Sequence, residues 1–587
     1  MKRTAIALSI SAAVLFGAAV DNTGDARKDV QLRAMLDEVA RAKTLEISGL
    51  EKPYFIAFAS NDSESASATA SLGALINSEH LHARRPVIVL RVGDYKFDNT
   101  NSVYASSYRL GLCPIDDDYE ALRTNFWLST DSVFKNAVGQ MARKRAALRE
   151  LADPDDTPDF SPANPSHILQ PAAKLNADLH AFEETARSLS ARFRTHTDVL
   201  QSVVSIKAIA STYRLVTTEG TIVRVPQTYG GIEVRASSLA PDASRVYDHD
   251  LIALLEPGQF PSSEALAARV DKVAANVDAL AKAPIGEDYS GPVLFEQEAA
   301  AQLMAQALAD AVRLQRKPVA APGAQGRNSE GVESVWASRI GSKVFPEWMS
   351  AVDDPHQTAF RGAPLAGHYE VDDEGVAAER VVLVDKGTLK SFLFSRQPVR
   401  KFNSSNGHGR LPGSYGSEAA AIGNLFINAD ETVPEAKMKA KLMEAVKTAG
   451  LKYGILIRKM DFPSTANFGE LQSMARDLQK NGYARTLNAP LLAYRVFPDG
   501  REELVRGLHF KEFSAKDLRD IRAASDRPYV LNYVNNGSSF DLIDISSDAT
   551  TSSVICPSLL LESVDLGRIE EQSEKLPLVP APALTPQ

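Results

Sequence analysis

The chain has 587 residues, 44% hydrophobic and 24% charged, with a formal net charge of −9. At roughly 100–200 residues per domain, this length predicts several folded domains with a sizeable core, and the composition excludes a wholly disordered chain. The acidic balance, with no long Lys/Arg patch, sets nucleic acid aside as a partner. The short run Arg143-Lys144-Arg145 is expected to be a solvated helix face.

The chain opens with Lys2 and Arg3, a short apolar run from Ala5 to Phe16, and the small residues Gly17-Ala18-Ala19. That pattern predicts a signal peptide over residues 1–19, cleaved after Ala19, and a periplasmic or secreted protein. No later segment reaches the roughly 18 apolar residues of a transmembrane helix, so no integral membrane span is expected. Cys113 and Cys556 could pair in an oxidising compartment, but their positions do not decide it.

Helical spacing of Leu32, Met35, Leu36 and Val39 predicts a helix over 26–45. Tyr54–Ala59 is a strand candidate, Ser60–Ser65 a turn, and Arg85–Val92 a second strand. Helices are expected over 117–150 and 172–192, separated by an Asp/Pro-rich loop running from 153 to 171. Tyr213–Val225 predicts a hairpin turning at Glu219-Gly220, and Ile232–Ala236 continues the sheet. Residues 262–281 form an amphipathic helix with Leu266, Val270, Val273, Val277 and Leu280 on one face. A short strand, Pro292–Phe295, then runs into an Ala-rich helix from Glu296 to about Leu314. Beyond a flexible connection at 315–330, the pattern turns to strands, with hairpins over 381–394 and 492–505 and one helix over 434–449. A Pro-rich tail occupies 577–587. The expected class is α+β, with an α+β N-terminal region, a connecting helix and a C-terminal region dominated by antiparallel strands.

Several segments, in order, carry a family resemblance: Thr218-Glu219-Gly220-Thr221, Arg339–Pro346 with Val352–Pro355, Val371–Gly375 leading to Lys386–Leu389, Ser395-Arg396 with Ser405–Arg410, and Ile422–Ile427. Together they resemble the TldD/PmbA (modulator of DNA gyrase) metallopeptidases over roughly residues 200–565. The resemblance implies an α/β N-terminal domain over 26–285, a β-rich C-terminal domain over 290–570 built on a curved antiparallel β-sheet, and two subunits pairing around an internal cavity. In the active branch it also implies a helix bearing His-Glu-x-x-x-His, whose histidines hold zinc while the glutamate deprotonates the metal-bound water.

Aligned on its glutamate, that motif falls on Phe295, Glu296 and Ala300. Phenyl and methyl groups donate no lone pair to zinc, so Glu296 remains as a catalytic remnant and no metal ligand or cofactor is expected. The resemblance then implies a partner subunit of PmbA (TldE) type, binding peptides as a homodimer or beside a zinc-bearing TldD-like homologue. Arg396, Asn406, His408 and Arg410 are the substrate-binding candidates, as donors suited to a peptide carboxylate or carbonyl. The pair His80/His82 and the group His356/His368 with Asp353, Asp354 and Asp372 lack a recognised metal spacing. Two other readings stand beside this one: a noncatalytic periplasmic scaffold or peptide-binding module, and a metallopeptidase with an unrecognised ligand set.

Overall fold

The computed structural model describes residues 23–46, 49–105, 108–109, 113–152, 156–256, 258–323, 334–411, 416–465, 472, 476, 487–535 and 550–569. The expected signal peptide and Pro-rich tail lie outside the described residues.

Two long hairpins organise the N-terminal region. Strand Pro53–Ser71 pairs antiparallel with Ala74–Val92 on one side and with Gln201–Thr217 on the other. Gln201–Thr217 turns through Glu219-Gly220, as its alternation predicts, into Ile222–Leu239, which pairs in turn with Arg245–Leu254. Gly220 takes φ +107°, a conformation that costs glycine little. Among the described residues this sheet has seven strands and is antiparallel except where His167–Leu169 runs parallel to Ile222–Arg224.

The expected turn at Ser60–Ser65 is instead the middle of a 19-residue strand. Each of its residues has a partner on both sides, as Asn61 has in Arg85 and Tyr213, and two ladders outweigh the turn preference of Ser, Asn and Asp. His80 and His82 lie on strand Ala74–Val92 opposite Ala66 and Glu64, with His82 Nε2 2.8 Å from Asp62 Oδ1.

The long helices fall close to expectation, over Val30–Ala42, Tyr119–Arg149 and Ser263–Lys282, capped by Asp29, Asp118 and Ser262. The helix expected from residue 172 begins at Leu179, where Asp178 supplies the cap. Lys144 is buried, against the expectation of a solvated face. Its ammonium donates to the carbonyls of Asp98 and Thr100 and pairs with Asp159.

The C-terminal region is built on two mostly antiparallel sheets, of six and seven strands among the described residues. Helix Glu298–Ala311 packs against strands of both. Its surface is alanine-rich and mostly buried, as a helix covered on opposite sides requires, apart from a stripe of Glu298, Gln302, Gln306 and Asp310 at four-residue spacing. Strand Tyr289–Phe295 shows why. Val293 and Phe295 face this helix and the main core, while Leu294 faces a second helix, Met438–Thr448, on the other side of the sheet. The hairpin expected over 381–394 has a shorter second arm, Thr388–Leu389, because Lys390 N and Ser391 N both bond to Leu383 O and Leu393 N turns away to Val312 O. The hairpin Pro490–Val496 with Glu502–Val505 forms as predicted. Cys113 and Cys556 are free thiols. Among the described residues, no helix is long and apolar enough to cross a membrane.

Candidate functional site

The central strand Tyr289–Phe295 ends at a sharp turn, and Glu296 and Gln297 occupy it. Glu296 N donates to Ile457 O, and Gln297 takes φ +41° with its N–H on Ser558 Oγ at 2.8 Å. Helix Glu298–Ala311 starts immediately after. The frame Phe295-Glu296…Ala300 therefore straddles a strand, a turn and a first helical turn, and does not lie along one helix face. Phe295 is fully buried with its ring stacked on Phe510, at 6.1 Å between centroids, and Ala300 is fully buried in the core.

Glu296 opens on a cleft of about 480 Å³, lined also by Asp248, Asp250, Arg269, Lys272, Glu298, Arg458, Lys459 and Tyr529. Several local features gather these charges. Asp248 and Asp250 are two apart on strand Arg245–Leu254 and so share a face. Regular alternation would send Arg458 and Lys459 to opposite faces. The register of Gly454–Met460 breaks between Ile457 and Met460, and at that irregularity both reach the cleft.

Most of the charges are paired. Lys459 Nζ lies 2.8 Å from Asp248 Oδ1 and 2.6 Å from His249 O. Asn276 donates to the other Asp248 oxygen at 2.7 Å. Arg269 grips Asp250 through two nitrogens. Arg458 bonds Glu296 at 2.9 Å and Glu502 at 2.9 Å, and its guanidinium lies over the Tyr494 ring. Glu298 has only the Gln302 amide, at 3.2 Å, and burial raises its carboxyl above the ordinary range. Gln302 and Gln306 tie the helix to the end of the neighbouring strand by accepting Met460 N and Asn488 N.

The other candidates are sealed inside the fold, not at a cavity edge. Arg396 is 1% exposed. Its guanidinium bonds both Glu219 oxygens at 2.7 Å, donates to Ser161 O and stacks on Phe160 at 3.9 Å. Asn406 bridges Phe394 N and Phe392 O. His408 is fully buried, with Nε2 3.2 Å from Asp353 Oδ1 and Nδ1 2.9 Å from Asn406 O. Arg410 lies over the Tyr369 ring at 4.1 Å. Gly407 takes φ +72°, and a side chain there would meet Ala377 O at 2.1 Å. Beside them, the buried Asp372 and the partly buried Glu374 form an acid pair. Burial, with Glu374 alongside, pushes Asp372 well up, and Glu374 is pushed up to about 7. His356 and His368 do not converge into a ligand set: His356 turns back on Asp354, and His368 Nδ1 faces Pro355 O.

Sequence reasoning thus missed Asp248, Asp250, Arg269, Arg458, Lys459 and Tyr529. The available signals were the Asp-x-Asp spacing in Asp248-His249-Asp250 and two adjacent cations, Arg458-Lys459, inside an otherwise apolar strand.

Residues 288–471, which include the strand–helix junction, match the PmbA/TldA metallopeptidase C-terminal domain. Over this stretch the chain is similar to the TldD/PmbA metallopeptidase family. It is 30% identical over 164 residues to a metalloprotease of Archaeoglobus fulgidus, a stretch covering 25% of this chain and 35% of that relative. With a metalloprotease of Methanocaldococcus jannaschii it shares 33% identity over 96 residues, 16% of this chain and 20% of the relative. The chain thus spans well under half the length of these relatives. Its fold matches that of TldE from Thermococcus kodakarensis, with TM-score 0.54 and 12% identity over 91% of this chain and 100% of the other. It also matches a Thermotoga maritima protein described as a modulator of a DNA gyrase, with TM-score 0.56 and 14% identity over 91% and 99%. At such identities the structural likeness speaks to the fold alone, and that likeness takes in the N-terminal region.

Proposed function

We propose that this metallopeptidase-like protein is a peptide-binding or partner subunit without a zinc site of its own, exported and working as a dimer or beside a zinc-bearing homologue. The observation that carries this reading is the chemistry at the junction of the central strand and its helix. Positions 295 and 300 present a buried phenyl ring and a buried methyl group, which have no lone pair for a metal. One oxygen of the Glu296 carboxylate is engaged by Arg458, which is in turn shared with Glu502. The cleft remains open, and its polar lining suits the charged and hydrogen-bonding groups of a peptide backbone.

The test pairs elemental analysis of the purified chain with calorimetric titration of short unstructured peptides and a cleavage assay. The expected outcome is binding without turnover and no stoichiometric zinc. One tightly held zinc per chain, with chelator-sensitive cleavage lost in Glu296→Gln, would sink the reading and favour a ligand set drawn from other residues. A chain that binds no peptide would be a scaffold.

A further inference from the structure

The charges lining the cleft do not balance locally. Three carboxylates, Asp248, Asp250 and Glu298, lie close enough to act on one another electrostatically, and two cations, Lys459 and Arg269, stand among them. Lys459 is held by Asp248 and Arg269 by Asp250. Glu298 is left with one neutral amide donor and no ion pair among the described residues. The remaining cations of the lining do not serve it. Arg458 is shared between Glu296 and Glu502, and Lys272 is exposed. A partly buried carboxylate with one neutral partner favours a cation beside it.

Two neutral groups stand in the same cleft. The Tyr529 hydroxyl makes no hydrogen bond among the described residues, and it lies within electrostatic reach of Glu298. The Gln297 side chain also lines the cleft, its position fixed by the strained turn at φ +41° and by the bond from its N–H to Ser558. A carboxylate, a phenol oxygen and an amide oxygen make an acceptor set suited to a tetrahedral –NH3+ group with its three donors. The two resident cations disfavour a divalent metal ion in the same place, because a charge of +2 would face Lys459 and Arg269 as well as the carboxylates.

We infer that the cleft receives a primary ammonium group of its peptide ligand, held by the Glu298 carboxylate with Tyr529 and Gln297 as neutral acceptors. This rests on the peptide-binding reading and specifies which end or side chain of the peptide is recognised. Burial and the neighbouring Asp250 and Asp248 raise the Glu298 carboxyl, as expected for a site that lacks its cation until the ligand is bound.

The experiment is calorimetric titration of the full chain at pH 7.5 with three peptides: alanyl-alanyl-alanine amide, its N-acetylated form, and N-acetyl-alanyl-lysyl-alanine amide. All carry an amidated carboxyl end, so the first two differ only in the terminal ammonium. The free amine should bind at least about tenfold tighter than its acetylated form, as loss of one charge-assisted contact requires. In Glu298→Gln that difference should collapse. The lysine peptide separates two sources of the same chemistry. Binding like the free amine means that a side-chain ammonium also serves, and binding like the acetylated peptide means that the amino terminus alone does. Equal, measurable binding of the free and acetylated alanine peptides to the parent would overturn the ammonium inference and leave the peptide-binding reading standing. No binding of any of the three would overturn both. The parent comparison is independent of how well the Glu298→Gln chain folds.

Discussion

Two regions of this molecule are rich in polar side chains, and they differ in where their bonds end. Around Arg396, Asn406 and His408 every principal polar contact closes on the protein itself: Glu219, Ser161, Phe392, Phe394 and Asp353 supply the partners. In the cleft beside Glu296 the ion pairs also close, but one carboxylate and one phenol are left facing open space. A residue list does not separate a network that holds two parts of a fold together from one that awaits a ligand. The leftover charge does. The first kind of site should respond to substitution in stability, the second in binding.

The largest effect expected from this contrast is at Arg396. Arg396→Ala removes two bonds to Glu219 and the donors to Ser161 O, and it leaves the Glu219 carboxylate without its cation. Breaking one side of a buried pair costs about 3–5 kcal/mol. Urea unfolding should show a loss of that size, and a change below about 1 kcal/mol would mean that the network is not closed as described. His408→Ala comes next, at about 2–3 kcal/mol, because the fully buried ring and its contacts to Asn406 O and Asp353 both go. If either variant kept full stability and lost peptide affinity instead, the loop would belong to the open class of site.

Part of this was legible in the sequence. Alternation around Glu219-Gly220 placed the hairpin, and the capped amphipathic stretch ahead of Lys282 placed its helix, because both signals are local. The ordered family segments pointed to the right fold. What sequence could not supply was burial. Polar residues between glycines, as in Asn406-Gly407-His408-Gly409-Arg410, look the same whether they line a cavity or pack under one. The glycines here answer to crowding: a side chain at Gly409 would meet Glu374 Oε2 at 2.6 Å. The cleft was illegible for a different reason. Its charges come from residues about 200 apart in sequence, Asp248 and Lys459 among them, and from a register break that no alternation pattern announces.

A third way to sharpen the comparison is pH. Within the sealed region, burial raises Glu374 from its ordinary 4.5 to about 7, with Arg396 and Arg91 opposing the rise and Asp373 adding to it. The folded state therefore holds this proton more tightly than the unfolded chain does. The sign follows: the contribution to stability is fully present below about pH 4.5 and is lost as pH rises through about 7. Glu374→Gln, which keeps an acceptor for Arg396 N, should remove this loss. The stability of the variant relative to the parent should rise between pH 5 and pH 7.5, by on the order of 2 kcal/mol. A flat difference across that range would show that the acid pair ionises as it would in water.

The smallest effect is expected in the cleft, and it is the one that separates the two regions most directly. Glu298 is partly buried, yet its only side-chain bond is from the Gln302 amide, and its nearest cations are held elsewhere. Glu298→Gln removes a charge without orphaning a partner, because no cation depends on Glu298 for its pairing. Its amide oxygen can still accept from Gln302, and the group has the same shape in the first turn of the helix. One term opposes this: a negative charge in a first helical turn is stabilised by the helix dipole, by a few tenths of a kcal/mol up to about 1. The burial penalty on the charge is relieved in the same step. With the two in opposition, the unfolding midpoint in urea should stay within about 1 kcal/mol of the parent. A loss as large as that of Arg396→Ala would mean that Glu298 is a structural counter-ion for Lys459 or Arg269, and the cleft would then be closed in the same sense as the network around His408.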